Sequence, residues 1–176
     1  MRSGINLLDE TDILKVARSC TTVRVRLGEE LIRKNDTSEE LYIVTDGSFK
    51  VYDDSYGEDF VHAILTKGAI FGEMSFLDAT PRSASVKAIS DGSLLRMGRK
   101  EFDSLLVNNP DTALLFLFTL ARVVTRRLRE VNDALRGMTF SVGDSDSKKA
   151  IGEVIAQMEY AVHIEVTGSQ KGRKEE

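Results

Sequence analysis

From Thr22 to Met97 the sequence alternates between short β-prone runs and turn-forming residues. The runs are Leu31–Ile32, Leu41–Val44, Phe49–Tyr52, Phe60–Leu65, Ser85–Ile89 and Leu94–Met97. Turn residues such as Asp46-Gly47 and Lys67-Gly68 separate them. No helical run of about 10–15 residues lies between two runs, so crossover connections between parallel strands are hard to build. The pattern predicts a mostly β fold, a jelly-roll barrel, over about residues 20–98.

Helices are predicted on both sides of the barrel. Apolar residues recur at helical spacing from Leu7 to Arg18, and again from Arg99. Asn109 followed by Pro110 is a strong helix start, because a capping side chain precedes proline at the first helical position. We expect the long helix that follows to end near Arg136, with Gly137 as its stop.

The long helix carries a heptad seam. Its apolar residues follow one another at spacings of 3 and 4: Leu114, Leu117, Ala121, Val124, Leu128, Val131 and Leu135. The seam has two explanations: the helix packs on its own barrel, or it pairs with the same helix of a second chain. We favour the second and predict a homodimer through the helix of residues 113–136.

Residues 137–176 follow the predicted helix and are less informative. Residues 142–149 read as a polar linker, residues 151–162 fit a short amphipathic helix, and 160–166 fit a strand equally well. Residues 168–176 are charged and are expected to be frayed. The predicted organisation is therefore a domain over residues 7–136 and an appendage over 137–176.

Composition excludes several classes of protein. The chain has 24 lysines and arginines against 28 aspartates and glutamates, a net charge of −4, which disfavours dominant binding to nucleic acid. Cys20 is the only cysteine, so a disulfide framework is excluded. The longest apolar run, Ala113–Ala121, is about half of the ~20 residues that a membrane span requires. With no signal pattern at the start, we expect a cytoplasmic protein that does not contact membrane.

The segment from Phe71 to Val86 carries the chemistry. Gly72 allows the backbone to approach a ligand closely, and residues 73–77 can form one helical turn whose free N–H groups attract an anion. Arg82 can return a guanidinium to the same anion. The carboxylate of Glu73 suits a ligand that also offers a hydroxyl donor, such as a ribose 2′-OH. An anion beside a sugar hydroxyl describes a nucleotide.

This segment resembles the phosphate-binding cassette of cyclic nucleotide-binding domains, of the catabolite-activator and protein kinase A regulatory-subunit type. The family pattern is Phe-Gly-Glu, about nine residues, then Arg-(Ser/Thr/Ala)-Ala, and Phe71-Gly72-Glu73 and Arg82-Ser83-Ala84 match it. The early strands from Gly28 to Gly47 and the long helix also look like those of the family. The resemblance covers roughly residues 7–136 and is specific because it has several parts.

The resemblance implies a set of ligand contacts. Glu73 would accept the ribose 2′-OH, and Arg82 would pair with the cyclic phosphate. Gly72 and the backbone N–H groups of Met74 and Ser75 would line the sugar and the phosphate. The alternative is that Glu73 and Arg82 simply pair with each other in an empty structural loop.

Two further contacts are implied outside this set. Ser83 would add a hydroxyl contact, although serine is also an ordinary turn residue. Asn132 would read the adenine edge from the long helix, by its spacing from Arg127-Leu128, or it would be a solvated helix position. Cyclic AMP is the preferred ligand and cyclic GMP the alternative, and no cofactor is expected.

Three functions follow from these patterns. We favour a non-enzymatic cyclic-nucleotide sensor that signals through its C-terminal helix to an unknown downstream protein. The alternative is a transcription regulator of the catabolite-activator type, truncated before its DNA-binding domain. The 40 residues after Arg136 carry five lysines and arginines against seven aspartates and glutamates, so no direct DNA binding is expected. A cupin-type enzyme is rejected, because His62 and His163 are the only histidines.

Overall fold

The computed structural model describes residues 8–53 and 60–141, with side chains as far as Arg136. The helices are α1 (Glu10–Ser19), α2 (Glu73–Asp78), α3 (Arg99–Asn108) and α4 (Pro110–Ser141). The strands are β1 (Thr21–Val25), β2 (Glu30–Ile32), β3 (Leu41–Asp46), β4 (Phe49–Asp53), β5 (Phe60–Leu65), β6 (Ile70–Phe71), β7 (Ser85–Ala88) and β8 (Gly92–Met97). The predicted class, a mostly β jelly roll with flanking helices and a long C-terminal helix, is confirmed.

The strands form two antiparallel sheets of four. One sheet has the order β1-β8-β3-β6 and the other the order β2-β7-β4-β5. Inward-facing side chains of both sheets form one apolar core: Val25, Ile32, Tyr42, Val44, Phe49, Leu65, Phe71, Val86, Ala88 and Leu94. The Tyr42 and Phe71 rings stack with centroids 5.1 Å apart. These contacts fix β6, a two-residue strand absent from the predicted runs, directly before Gly72.

A second apolar cluster packs the helices together with the end of the barrel. It consists of Val16, Leu41, Phe76, Met97, Phe102, Leu105, Ala113, Phe116 and Leu120. Phe76 of α2 meets Phe102 of α3 edge to face at 5.6 Å between ring centroids. The element that carries the cassette is therefore packed into the same core as α3 and the start of α4.

Helix α1 starts later than predicted and is tied to α4. It begins at Glu10, not near Leu7, because Asp9 caps it and accepts from the Asp12 backbone N–H at 2.8 Å. The buried Thr112 hydroxyl donates to Asp12 Oδ1 at 2.6 Å, and this bond lowers the pKa of Asp12. Cys20 is half-buried, as expected, and burial raises the pKa of its thiol to about 11.

Helix α4 differs from the prediction at its end. It continues to Ser141 and does not stop at Gly137, since an interior glycine costs a helix only about 1 kcal/mol. Its core-facing residues are Ala113, Phe116 and Leu120, whereas Leu114 of the seam is 53% exposed. Leu117 of the seam packs partly against the core, so the seam and the buried face overlap at that position.

The chain divides into two compact units, residues 1–125 and 126–176. In the second unit the seam residues Leu128 and Val131 are 55% and 54% exposed. The predicted domain limits of 7–136 and 137–176 stay a prediction, and the expectations for residues 142–176 lie outside the described residues. Within residues 8–53 and 60–141, none of the helices is long and apolar enough to cross a bilayer.

Candidate functional site

The backbone of the predicted cassette turns sharply before and after the short helix α2. After β6, Gly72 takes a left-handed conformation with φ +76° and starts α2, the one-turn helix that carries Glu73. Ala79, also left-handed with φ +56°, ends α2 and donates its N–H to the Ser75 carbonyl. The short helix predicted from residues 73–77 is confirmed as α2.

Arg82 lies at the centre of the site and is held on three sides. Its side chain is 3% exposed. The guanidinium donates from Nη1 to the Gly72 carbonyl at 3.0 Å and from Nη2 to the Glu40 carbonyl at 2.7 Å. Its Nε donates to Ser38 Oγ at 3.0 Å. Three hydrogen bonds thus hold the guanidinium beside Gly72, and they use three of the five N–H donors of an arginine.

The segment joining β2 to β3 forms the frame of Arg82. Asn35 donates its backbone N–H to the Arg82 carbonyl at 2.9 Å, and Arg82 donates its own to the Asp36 carbonyl at 2.8 Å. Ser38 and Glu40 of the same segment hold the side chain, and the Glu40 carboxylate lies 3.6 Å from Nη2. Nothing in the local sequence pattern of residues 35–40 indicates contact with a residue more than 40 positions away.

Glu73 lies at the start of α2 and is 1% exposed. Burial lowers the pKa of the Arg82 guanidinium, while Tyr42, Glu40, Asp36 and Glu73 act in the opposite direction by their charge. An arginine remains protonated under such conditions, so the site combines a buried cation with a buried carboxylate. The first can pair with a phosphate and the second can accept from a hydroxyl.

The other predicted cassette residues cluster around α2. Ser75 is buried at 2% exposure, whereas Met74 is 45% exposed. Ser83 is exposed, and its hydroxyl lies 4.0 Å from Met74 Sδ. Six of the seven predicted residues lie within residues 72–83 of the sequence, where Arg82 donates to the Gly72 carbonyl and Ser83 lies beside Met74. Asn132 belongs to the unit of residues 126–176, and its contact with a base stays a prediction.

Arg99, which the sequence analysis did not single out, connects α2 to α3. Its guanidinium donates to the Phe76 carbonyl at 2.6 Å and lies over the Phe76 ring, 4.9 Å from the centroid. It is the first residue of α3. Arg99 therefore joins α2 to the first turn of α3.

No group of three or more histidine, cysteine, aspartate or glutamate side chains suited to a metal ion occurs in the part of the chain that the structure describes. His62, considered as a barrel histidine, is exposed on β5 and packs its ring against Phe60 at 5.2 Å between centroids. The buried charged groups of the site are instead Arg82, which can pair with an anion, and Glu73, which can accept from a hydroxyl.

Comparison with known proteins identifies the family. Residues 22–109, half of the chain, match the family model described as the cyclic nucleotide-binding domain. The chain belongs to this family, and the resemblance seen in the sequence is confirmed.

Relatives in the family include two groups of regulatory proteins. The chain is 33% identical over 114 residues to the "Cyclic AMP receptor protein" of Thermus thermophilus, which is 64% of this chain and 51% of that protein. It is 32% identical over 107 residues to the "cAMP-dependent protein kinase regulatory subunit" of Schizosaccharomyces pombe, 61% of this chain and 25% of that protein. The chain therefore spans about half or less of these curated relatives.

A solved structure with the same fold is the N-terminal domain of a transcriptional regulator from Streptomyces coelicolor. Its TM-score to this chain is 0.59 at 30% identity. The match covers 72% of this chain and 89% of that one.

Proposed function

We propose that the chain is a sensor that binds a cyclic nucleotide, cyclic AMP in preference to cyclic GMP, without catalysing a reaction. The observation that carries the proposal is Arg82, which is buried and held between the Gly72 and Glu40 carbonyls in the segment that also holds the buried Glu73. A buried guanidinium and a buried carboxylate together fit a cyclic phosphate and its ribose 2′-OH. The names of the Thermus and Schizosaccharomyces relatives support cyclic AMP.

In this proposal each predicted residue has a role. Arg82 pairs with the cyclic phosphate, and Glu73 accepts from the ribose 2′-OH. The backbone at Gly72, Met74 and Ser75 lines the sugar and the phosphate. Two further contacts complete the set: the Ser83 hydroxyl on the phosphate and the Asn132 amide on the adenine edge.

The binding signal passes through the C-terminal helices to a downstream protein. Phe76 of α2 packs on Phe102 of α3, and Arg99 of α3 holds the Phe76 carbonyl at 2.6 Å. Closure of the cassette on a ligand moves α2, and these contacts carry the movement into α3 and α4.

Calorimetric titration of the full chain with cyclic AMP and with cyclic GMP tests the proposal. We expect saturable binding of both, tighter for cyclic AMP, and a rise in melting temperature with the same order of ligands. No heat and no thermal shift with either nucleotide at millimolar concentration would refute the sensor function.

We further propose that two chains associate through α4. The support is the exposed seam: Leu114 is 53%, Leu128 55% and Val131 54% exposed, although all three are large apolar side chains at heptad spacing. Leu117 of the seam packs partly against its own core, whereas Leu114, Leu128 and Val131 are exposed and available to a second copy of the helix.

Replacement of Leu128 by lysine should convert the dimer into a monomer, because a charge at a seam position is desolvated on both sides of a symmetric interface. Sedimentation velocity measures the result. Val107→Lys is the matched control, since Val107 is 81% exposed on α3 and lies outside the seam. A wild-type chain that sediments as a monomer with and without ligand would contradict the proposed dimer.

A second candidate function is the sensor part of a transcription regulator. The observation that favours it is the solved N-terminal domain of the Streptomyces regulator, of which this chain covers 89%. The cassette would act in the same way in both cases, and only the target of α4 would differ.

A further inference from the structure

Glu40 gives the environment of Arg82 an unexpected charge. Its carboxylate oxygen lies 3.6 Å from Arg82 Nη2, and the Glu40 side chain is 36% exposed. Asp36 and Glu73 also act on the same guanidinium by their charge. The guanidinium therefore already has a carboxylate partner in Glu40, with which a bound anion would compete.

The position of Glu40 places it next to any anion bound by Arg82. An anion hydrogen-bonded to Nη2 lies about 2.9 Å from that nitrogen, and therefore within about 6.5 Å of the Glu40 carboxylate. At this distance two negative charges repel, and partial exposure reduces the repulsion without abolishing it.

The side chain and the backbone of Glu40 have separate roles. The backbone carbonyl accepts from Arg82 Nη2 at 2.7 Å and orients the guanidinium. This bond does not depend on the side chain, so glutamine at position 40 keeps it while removing the charge. The carboxylate can therefore be tested apart from the frame of Arg82.

We propose that the Glu40 carboxylate is an internal counter-ion of Arg82, which the cyclic phosphate must displace or tolerate, and that it raises the ligand concentration at which the sensor responds. This inference rests on the proposed function and names a further affinity-determining residue of the same site. This one side chain thus lowers the affinity for the ligand and raises the ligand concentration at which the sensor responds.

Calorimetric titration of full-length Glu40→Gln with cyclic AMP provides the test. We expect binding about three- to tenfold tighter than in the wild type, from loss of a partly screened repulsion. Glu39→Gln is the matched control: it removes the same charge from the adjacent residue, whose carboxylate lies 3.9 Å from Arg99 instead. We expect its affinity to stay within about twofold of the wild type.

Adenosine, which lacks the phosphate, separates the charge effect from a change of pocket shape. It should bind no more tightly to Glu40→Gln than to the wild type, and undetectable binding to both meets this expectation. Equal tightening of adenosine, an equal gain in Glu39→Gln, or unchanged cyclic AMP affinity in Glu40→Gln overturns the inference alone. Absence of cyclic AMP binding in both the wild type and Glu40→Gln overturns the proposed function, and this inference with it.

Discussion

Replacing Arg82 with alanine weakens cyclic AMP binding by about 2–5 kcal/mol, or roughly 30-fold or more, in a calorimetric titration. The cyclic phosphate then enters a site whose only buried cation is gone, while the buried Glu73 carboxylate remains. The same change leaves three acceptors, the Gly72 and Glu40 carbonyls and the Ser38 hydroxyl, without the guanidinium. Part of the loss is therefore structural, and circular dichroism must accompany the titration.

Arg82→Lys keeps the charge and separates the two effects. Lysine lacks the planar fork that reaches Gly72, Glu40 and Ser38 at once, so we expect a folded chain with affinity between those of the wild type and Arg82→Ala. Arg18→Ala removes an equal charge from an exposed position on α1 and should leave affinity unchanged. Wild-type affinity in Arg82→Lys and Arg82→Ala alike would contradict the assigned role.

Gly72→Ala should lower the free energy of unfolding by about 2–5 kcal/mol and abolish most ligand binding. A Cβ at this position would lie 2.7 Å from the Glu40 carbonyl oxygen and 2.8 Å from Arg82 Nη1. The added methyl group forces Arg82 from its buried hydrogen bonds, which costs about 1–3 kcal/mol. Left-handed backbone strain at φ +76° adds about 1–2 kcal/mol.

Gly68→Ala is the control for Gly72→Ala. Gly68 has φ +87°, but a Cβ there would meet no atom within 4 Å. It carries the backbone strain without the clash, so we expect about 1–2 kcal/mol and no change in affinity. Urea denaturation measures both variants. Equal losses in the two would show that Gly72 is required only for its backbone conformation.

The sequence predicted the elements that depend on local pattern. Short β-prone runs separated by turn residues predicted the strands. Phe71-Gly72-Glu73 together with Arg82 predicted the position of the cassette. Each of these signals is carried by residues that are close together in the sequence, so local periodicity and turn chemistry are enough to reveal it.

The frame of Arg82 could not be predicted in this way. Ser38 and Glu40 reach Arg82 across more than 40 residues of sequence, and Arg99 reaches Phe76 across 23. Such contacts depend on how the two sheets pack, which no short motif specifies. The two-residue β6 was missed for a related reason, because its pairing with Tyr42 and Ile43, and not its length, makes it a strand.

The order of strands also constrains how the chain folds. β8, the last strand among the described residues, lies between β1 and β3, with Thr21 paired to Arg96 and Leu41 to Met97. The first sheet therefore cannot assemble until β8, which ends at Met97, has been synthesised. Before that, β1 and β3 lack the strand that pairs with both of them. Pairing between strands so far apart in sequence is expected to slow folding, and the candidate site, which follows β6 of this sheet, should form only after the sheet has assembled.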